Sequence, residues 1–337
     1  MQTDRVRNWD EEVVEALRAA KDAAGFEHVG LLSGLSLMAV FGDKANQPTN
    51  EPPRFVRDPS AVPARDVWYA DAAQVFDNLY FVGGKIHSAW ALKTSDGFIL
   101  IDTIYPYNSE ELIVGGMQRL GFDASDIKYV IISHAHADHI GGAEMFQNRG
   151  QRVVMDPRDW DLVEQFPNRY LTMAPRRDLE ATDGGQLTLG DTTISTWQTP
   201  GHTAGTLSYT FTVFDHGRPI NVVYSGGTGF LVADSTPEGG IENLQTYIDS
   251  QKHIAAKAAD VNATVVLSNH SVHDNAINRI KMIPGRGDGP HPFEVGADMV
   301  QRYFLVMEYC ARAAQIKLER CASGQLLPGS PSRSAIR

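Results

Sequence analysis

Cysteine is almost missing from this chain: Cys310 and Cys321 are the two in 337 residues. They form no zinc-binding pattern. On one helix their Cα atoms would stand roughly 16 Å apart at ~1.5 Å per residue, beyond the reach of a disulfide. A disulfide framework is therefore excluded, and two thiols fit a reducing compartment. Basic residues are also scarce: 30 Lys and Arg stand against 41 Asp and Glu, a formal net charge of -11. Phosphate binding needs basic surface, so no nucleic acid is expected as the main partner. Long apolar runs are missing too. Val29 to Phe41 is too short to span a bilayer and reads as a buried segment, so no membrane is expected as a partner. The first ten residues carry no apolar h-region, and no signal peptide is visible. A mature form with its leader removed would read the same, which leaves cytoplasm and periplasm both open. There is no G-x-S-x-G elbow to present a serine nucleophile. The remaining composition, 42% hydrophobic and 21% charged, is that of a globular protein able to bury a large core.

Histidine, by contrast, is concentrated. The run His134-Ala135-His136-Ala137-Asp138-His139 puts three imidazoles and a carboxylate within six residues. The preceding Ile127 to Ile132 is short, apolar and β-branched, and reads as a buried strand. Ile140-Gly141-Gly142 then lets the backbone turn into a helix, so the cluster falls on a strand's carboxyl end, where α/β proteins build sites. Neutral imidazole is the commonest ligand for borderline metals such as zinc. His134 and His136 can point one way while Asp138 and His139 turn toward a neighbouring position, which suggests two adjacent metals. Three or four ligands would leave two metals under-coordinated, so more should follow downstream. Two segments qualify: Thr199-Pro200-Gly201-His202-Thr203-Ala204-Gly205-Thr206, a histidine in a Gly-rich turn, and Ala263 to His270, a buried strand ending in histidine.

The rest of the chain divides into three regions. Residues 8–24 read as an amphipathic helix capped by Asn8, with Val13, Val14, Leu17, Ala20 and Ala24 on one face and Gly25 as its stop. Gly42 to Asp66, with Pro48, Pro52, Pro53, Pro59 and Pro63, reads as an extended arm. From Val67 onward strands alternate with helices, the latter expected at 108–119, 141–147, 157–165 and 241–258. A last helix over 294–318 carries Val300, Tyr303, Phe304, Met307, Cys310 and Ala314 as one stripe. That stripe packs on the domain or forms a homo-oligomer contact.

The motifs HAHADH, PGHTAG and SNH, in this order, resemble the metal-binding segments of the metallo-β-lactamase superfamily over roughly residues 67–280. The resemblance implies an αβ/βα four-layer sandwich with a dinuclear site at one edge. The expected layout is then 1–66 as N-terminal helix and arm, 67–293 as the metallo-β-lactamase-like domain, and 294–337 as a C-terminal helix and tail packed on it. Carried over, His134, His136 and His202 would hold the first metal, and Asp138, His139 and His270 the second, with two Zn2+ per chain. One departure stands out. Most hydrolases of the superfamily carry a bridging aspartate after the strand that follows PGHT. Here Asn221 to Tyr224 is followed by Ser225-Gly226-Gly227-Thr228, and Gly227 cannot ligate. The site is therefore most similar to the third, His-rich subclass of metallo-β-lactamases.

The resemblance implies a zinc-dependent hydrolase of a small-molecule substrate. A hydroxide shared by the two metals and oriented by Asp138 would open a β-lactam-like cyclic amide or a related carbonyl. Lactone, thioester and phosphoester hydrolysis are the alternatives, as is an oxidoreductase on the same scaffold. The loops at 85–90, 104–108, 168–178, 228–240 and 280–293 would set specificity. His87 is expected near the metal edge as a substrate contact or a plain loop residue, His273 beside His270, and His291 in a loop. Arg279, Lys281 and Arg286 could meet a substrate carboxylate or form a solvated charged loop. Tyr105 and Tyr107 could line the cleft or simply pack.

Overall fold

Strands form where the chain is apolar or alternates, and they collect into two sheets. In the computed structural model, which describes residues 10–41, 50–170, 173–230 and 236–323, the first sheet holds β1 (Ala73–Phe76), β2 (Leu79–Phe81), β3 (Trp90–Thr94), β4 (Gly97–Ile101), β5 (Ile127–Ile131), β6 (Arg152–Met155) and β7 (Leu179–Glu180) in sequence order. β1 to β4 pair antiparallel and β4 to β7 parallel. The second sheet is ordered β12-β11-β10-β9-β8. It contains β8 (Gly185–Leu189), β9 (Thr192–Gln198), β10 (Leu207–Asp215), β11 (Arg218–Ser225) and β12 (Val265–Ser268). Only β11 and β12 pair parallel there.

The pleat sends successive side chains to opposite faces, and this builds three cores. Ile131, Val222 and Leu267 point between the sheets, where they meet Phe81, Trp90 and Tyr209. Val130 points outward from the first sheet onto Ile113, Phe146 and Trp160 of the covering helices. Val223 and Val266 point outward from the second sheet onto Tyr247, Tyr303 and Met307. The result is the expected αβ/βα four-layer sandwich.

The helices follow the sequence closely, with several differences. The helix Glu11–Ala24 is capped by Asp10, whose side chain accepts from Glu12 N–H at 2.9 Å; the expected cap Asn8 lies outside the described residues. Val29–Phe41 is a helix, and it packs with Glu11–Ala24 and Pro237–Asp260 around the C-terminal helix Ala297–Ala322. Every residue of the 300–314 stripe is buried in that contact. The second difference is the proline-rich arm. Residues 42–49, Pro48 among them, lie outside the described residues, but the remainder is not extended. It forms short turns at Arg54–Arg57, Pro59–Ala61 and Arg65–Trp68. Proline suits the first position of a helical turn because its missing N–H would have no partner there; Pro59 sits at such a position and Pro53 just before one.

The helix 157–165 appears as Pro157–Gln165, and 241–258 lengthens to Pro237–Asp260. The stretch 106–119 is helical with a π turn at Glu110–Val114. The expected 141–147 splits into Ala137–Ile140 and Ala143–Asn148, because Gly141 and Gly142 lie against Ile104 O and Ser109 Oγ with no room for a Cβ. Among the described residues no helix is long and apolar enough to cross a membrane.

Candidate metal centre

The loops after β5, β9, β11 and β12 open at one edge of the sandwich and bring distant histidines together. His134 and His136 follow β5, and His202 comes from the turn between β9 and β10. His136 Nδ1 and His134 Nε2 lie 3.0 and 3.1 Å from His202 Nε2. Burial, helped by the neighbouring rings, pushes His134 well below its ordinary pKa and His136 down to about 3; burial pushes His202 down to about 4. All three are neutral and offer lone pairs. In two of them the other nitrogen is committed: His134 Nδ1 contacts Gly226 O at 2.8 Å and His202 Nδ1 contacts Gly229 O at 2.6 Å. Such contacts fix ring orientation and tautomer, as in metal sites generally.

A second group forms around the carboxylate of Asp138. Its Oδ2 lies 3.3 Å from His139 Nε2, 3.3 Å from His87 Nε2 and 3.5 Å from His270 Nε2. His139 Nε2 and His270 Nε2 are 3.3 Å apart. His270 is held neutral by burial. Burial alone would lower His139 as well, but Asp138 and Asp102 override it and push it up to about 10. Burial would raise Asp138, yet His139 and the surrounding rings hold it well below the carboxylate range. A positive charge is therefore favoured at this point, in the form of a proton or a cation. Converging imidazole lone pairs and one ionised carboxylate are a donor set that fits two divalent metals. The six expected ligand residues are thus assembled in two adjacent groups. The tight groups of donor atoms are His134, His136 and His202, and His87, Asp138 and His270.

Two aspartates that sequence reasoning left without a role hold these loops. Asp102, buried at the end of β4, accepts from Ser133 N–H at 2.7 Å, Ser133 Oγ at 2.8 Å and Tyr224 OH at 2.8 Å, and lies 3.1 Å from His139 Nδ1. Asp159 accepts from Ala135 N–H at 2.7 Å, Gly205 N–H at 2.9 Å and Thr203 Oγ1 at 2.9 Å. It ties the His134–His136 loop to the His202 turn. The only early sign of Asp102 was an acidic residue closing a fully apolar strand. Position 227 also receives a physical reason. A Cβ there would lie 2.7 Å from Thr206 Cγ2 and 2.8 Å from His202 Cβ, so a carboxylate at 227 is sterically incompatible with His202 where it stands.

The other candidates separate clearly. His87 stands at the site. His273 packs against His270 at 5.4 Å between ring centroids. His291 is buried, bonded to Val75 O at 2.8 Å and stacked on Phe76, so it is structural. Arg279 pairs with Glu27 and Arg286 with Asp215, so these two are neither solvated nor open to a substrate carboxylate. Tyr105 and Tyr107 stack at 5.1 Å, and Tyr105 meets the His87 ring edge-on at 4.9 Å.

Comparison with known proteins bears on the fold. Residues 82–214 match the family model described as the Metallo-beta-lactamase superfamily. That match covers less than half of the chain; the fold around it is the metallo-β-lactamase fold. Among curated proteins the chain is similar to the N-acyl homoserine lactonase AttM of Agrobacterium fabrum, 25% identical over 46% of this chain and 66% of that protein. It is also similar to the hydroxyacylglutathione hydrolase of Rhodopseudomonas palustris, 28% identical over 37% of this chain and 44% of that protein. The matches thus span less than two thirds of either relative. Among solved structures it resembles BJP-1, a subclass B3 metallo-beta-lactamase of Bradyrhizobium japonicum, with TM-score 0.54 and 26% identity, covering 76% of this chain and 95% of that one. The metallo-beta-lactamase GOB-18 of Elizabethkingia meningoseptica shares the fold at TM-score 0.61 and 20% identity, over 82% of this chain and all of the other.

Proposed function

We propose that this chain is a two-zinc hydrolase that opens a β-lactam-like cyclic amide or a related carbonyl substrate. In this reading His134, His136 and His202 hold one metal, and Asp138, His139 and His270 the other. The observation that carries it is the convergence of two donor groups at a position where Gly227 leaves no place for a bridging carboxylate. When bound, two such cations polarise a carbonyl and supply a water of lowered pKa as nucleophile.

The chain's own residues do the remaining work. Asp138, held ionised, accepts a hydrogen bond from the attacking water and orients it. The carbonyls of Gly226 and Gly229 keep the rings of His134 and His202 from turning as substrate enters. Burial pushes the Tyr105 phenol upward, so it stays protonated as a polar wall beside His87. Met38, from the helix Val29–Phe41, lies beside Gly229, its Cε 3.2 Å from where a Cβ on that glycine would stand. Lactone opening is the second reading, favoured by the similarity to AttM; a ring ester presents the same carbonyl to the same attack.

The test is a hydrolysis panel on the zinc-loaded protein: a chromogenic cephalosporin, an acyl lactone, a thioester and a phosphodiester, each with and without chelator. Chelator-sensitive turnover of the cephalosporin, even if slow, is expected. Turnover of the lactone alone would replace the first reading with the second. Turnover of the phosphodiester alone would sink both.

A further inference from the structure

We infer that His87 is a fourth protein ligand of the second metal, beside Asp138, His139 and His270. This rests on the two-metal reading above and changes the character of one of its sites. Asp138 Oδ2 has three imidazole Nε2 atoms within 3.5 Å, and His87 is as close, at 3.3 Å, as His139. The donor atoms of His87, Asp138 and His270 all lie within 4.8 Å of one another; His139 Nε2 stands outside this tight set, 3.3 Å from the Asp138 and His270 atoms, with its ring centroid 6.3 Å from that of His87, so it completes the site from the opposite side. The side chains are largely shielded, at 14%, 17% and 23% exposed.

The loop that carries His87 is built to hold it there. His87 and His270 face each other in an isolated antiparallel bridge. Ser88 N–H donates to Asn269 O at 2.9 Å, Ser271 N–H to Ile86 O at 2.9 Å, and Ser271 Oγ to Gly84 O at 2.9 Å. Gly84 N–H closes the loop onto His87 O at 2.8 Å. A side chain at Gly84 would run into Trp68 O at 2.6 Å, so the loop can lie against the turn Arg65–Trp68 only as glycine. Two loop residues flanking strands of different sheets, His87 and His270, are thereby fixed as neighbours, their ring centroids 4.9 Å apart. A chance surface histidine needs no such stitching.

The consequence is asymmetry. Three histidines leave the first site with an open position for substrate. Four protein donors make the second site closed, as in structural zinc sites. His87 takes up the coordination that a residue at 227 cannot give, from the other side of the cleft. The second metal is then the last to leave, whereas three ligands and water would make it the first.

Cobalt-substituted protein tests this without reference to turnover. Paramagnetic proton NMR should show shifted exchangeable resonances from six imidazoles, and His87→Ala should remove one. Chelator competition should find the second site of His87→Ala weakened about tenfold or more, with the first site unchanged and the melting of the metal-free protein preserved. His87→Gln serves if the alanine variant misfolds. Five resonances in the unaltered protein, or a His87 variant that keeps both affinities, would overturn the inference. Metal content separates the two levels: one equivalent in the unaltered protein, unchanged by added metal, would sink the two-metal reading, and two equivalents in His270→Ala would sink the assignment of His270. If His270→Ala loses one while His87→Ala loses none, only the role of His87 fails.

Discussion

Gly227 shows how one residue constrains a site by what it cannot carry. Its missing Cβ is a packing requirement as well as a missing ligand, because the space is taken by Thr206 and His202. Gly227→Asp should therefore not create a bridging carboxylate. It should push His202 out of line, lower metal affinity at the first site about tenfold or more, and cost roughly 1–3 kcal/mol through overpacking. Metal titration and thermal melting check this; a variant that gains affinity and keeps its melting temperature would show that the turn has room. At this scale the sequence was highly legible. The six residues singled out do come together in space, four of them from His-x-His-x-Asp-His on one strand end and His202 and His270 from the ends of other strands. His87 was harder to read, because a single histidine in a loop takes its meaning from a neighbour 183 positions away, and only the bridge to His270 supplies it.

At the scale of elements, the site depends on how loops are tied to one another. Asp159 sits in the first turn of the helix Pro157–Gln165, where its backbone is helical and its side chain buried. It bonds two loops that supply three histidines. Asp159→Ala leaves Ala135 N–H and Gly205 N–H without partners, at about 1–3 kcal/mol each. The expected outcome is a lower melting temperature and a weakened first metal site, with the Asp138 site little changed; equal loss at both sites would mean that Asp159 acts on the whole fold. This role was not legible beforehand. An acidic residue near a helix start reads as a favourable charge at the helix dipole, and nothing local says that it faces inward. Strand positions, by contrast, were read well from apolar runs such as Ile127 to Ile131. The arm at 50–68 was misread because proline marks both extended chain and the start of a turn.

For the whole molecule, the buried histidines set the dependence of stability on pH. His87, His134, His136, His202 and His270 all have folded pKa values depressed below 6.5. The unfolded chain therefore binds protons that the folded chain refuses. Their contribution to stability is fully present above about 6.5 and is lost as pH falls toward 4, by about 1.4 kcal/mol per pH unit for each net proton. Asp159 and Asp274, pushed up to about 6 by burial, work the other way in acid, and His139, pushed up to about 10 by its carboxylates, works the other way above 6.5; below 6.5 the depressed rings, which also include His28, His273 and His291, prevail. Urea unfolding of chelator-treated protein between pH 7 and 4 should show the midpoint falling with pH; a flat or rising midpoint would refute the neutral state of these rings. The four layers themselves were legible from alternation and order of elements. The N-terminal helices were legible individually, but not their place on the last helix, since an apolar stripe does not name its partner.

That last helix has a mechanical consequence. Arg320 near its end meets Asp10 at 2.8 Å, and Arg302 near its start meets Ala23 O at 2.8 Å, so the first and last described helices run antiparallel with Asp10 and Arg320 side by side. A force pulling residues 10 and 323 apart would open this pair from one end, like a zipper, breaking contacts one at a time. The sheets and the histidines between them would bear load only after the helices had peeled away. The molecule should therefore yield in two stages, with the metal-binding loops surviving the first.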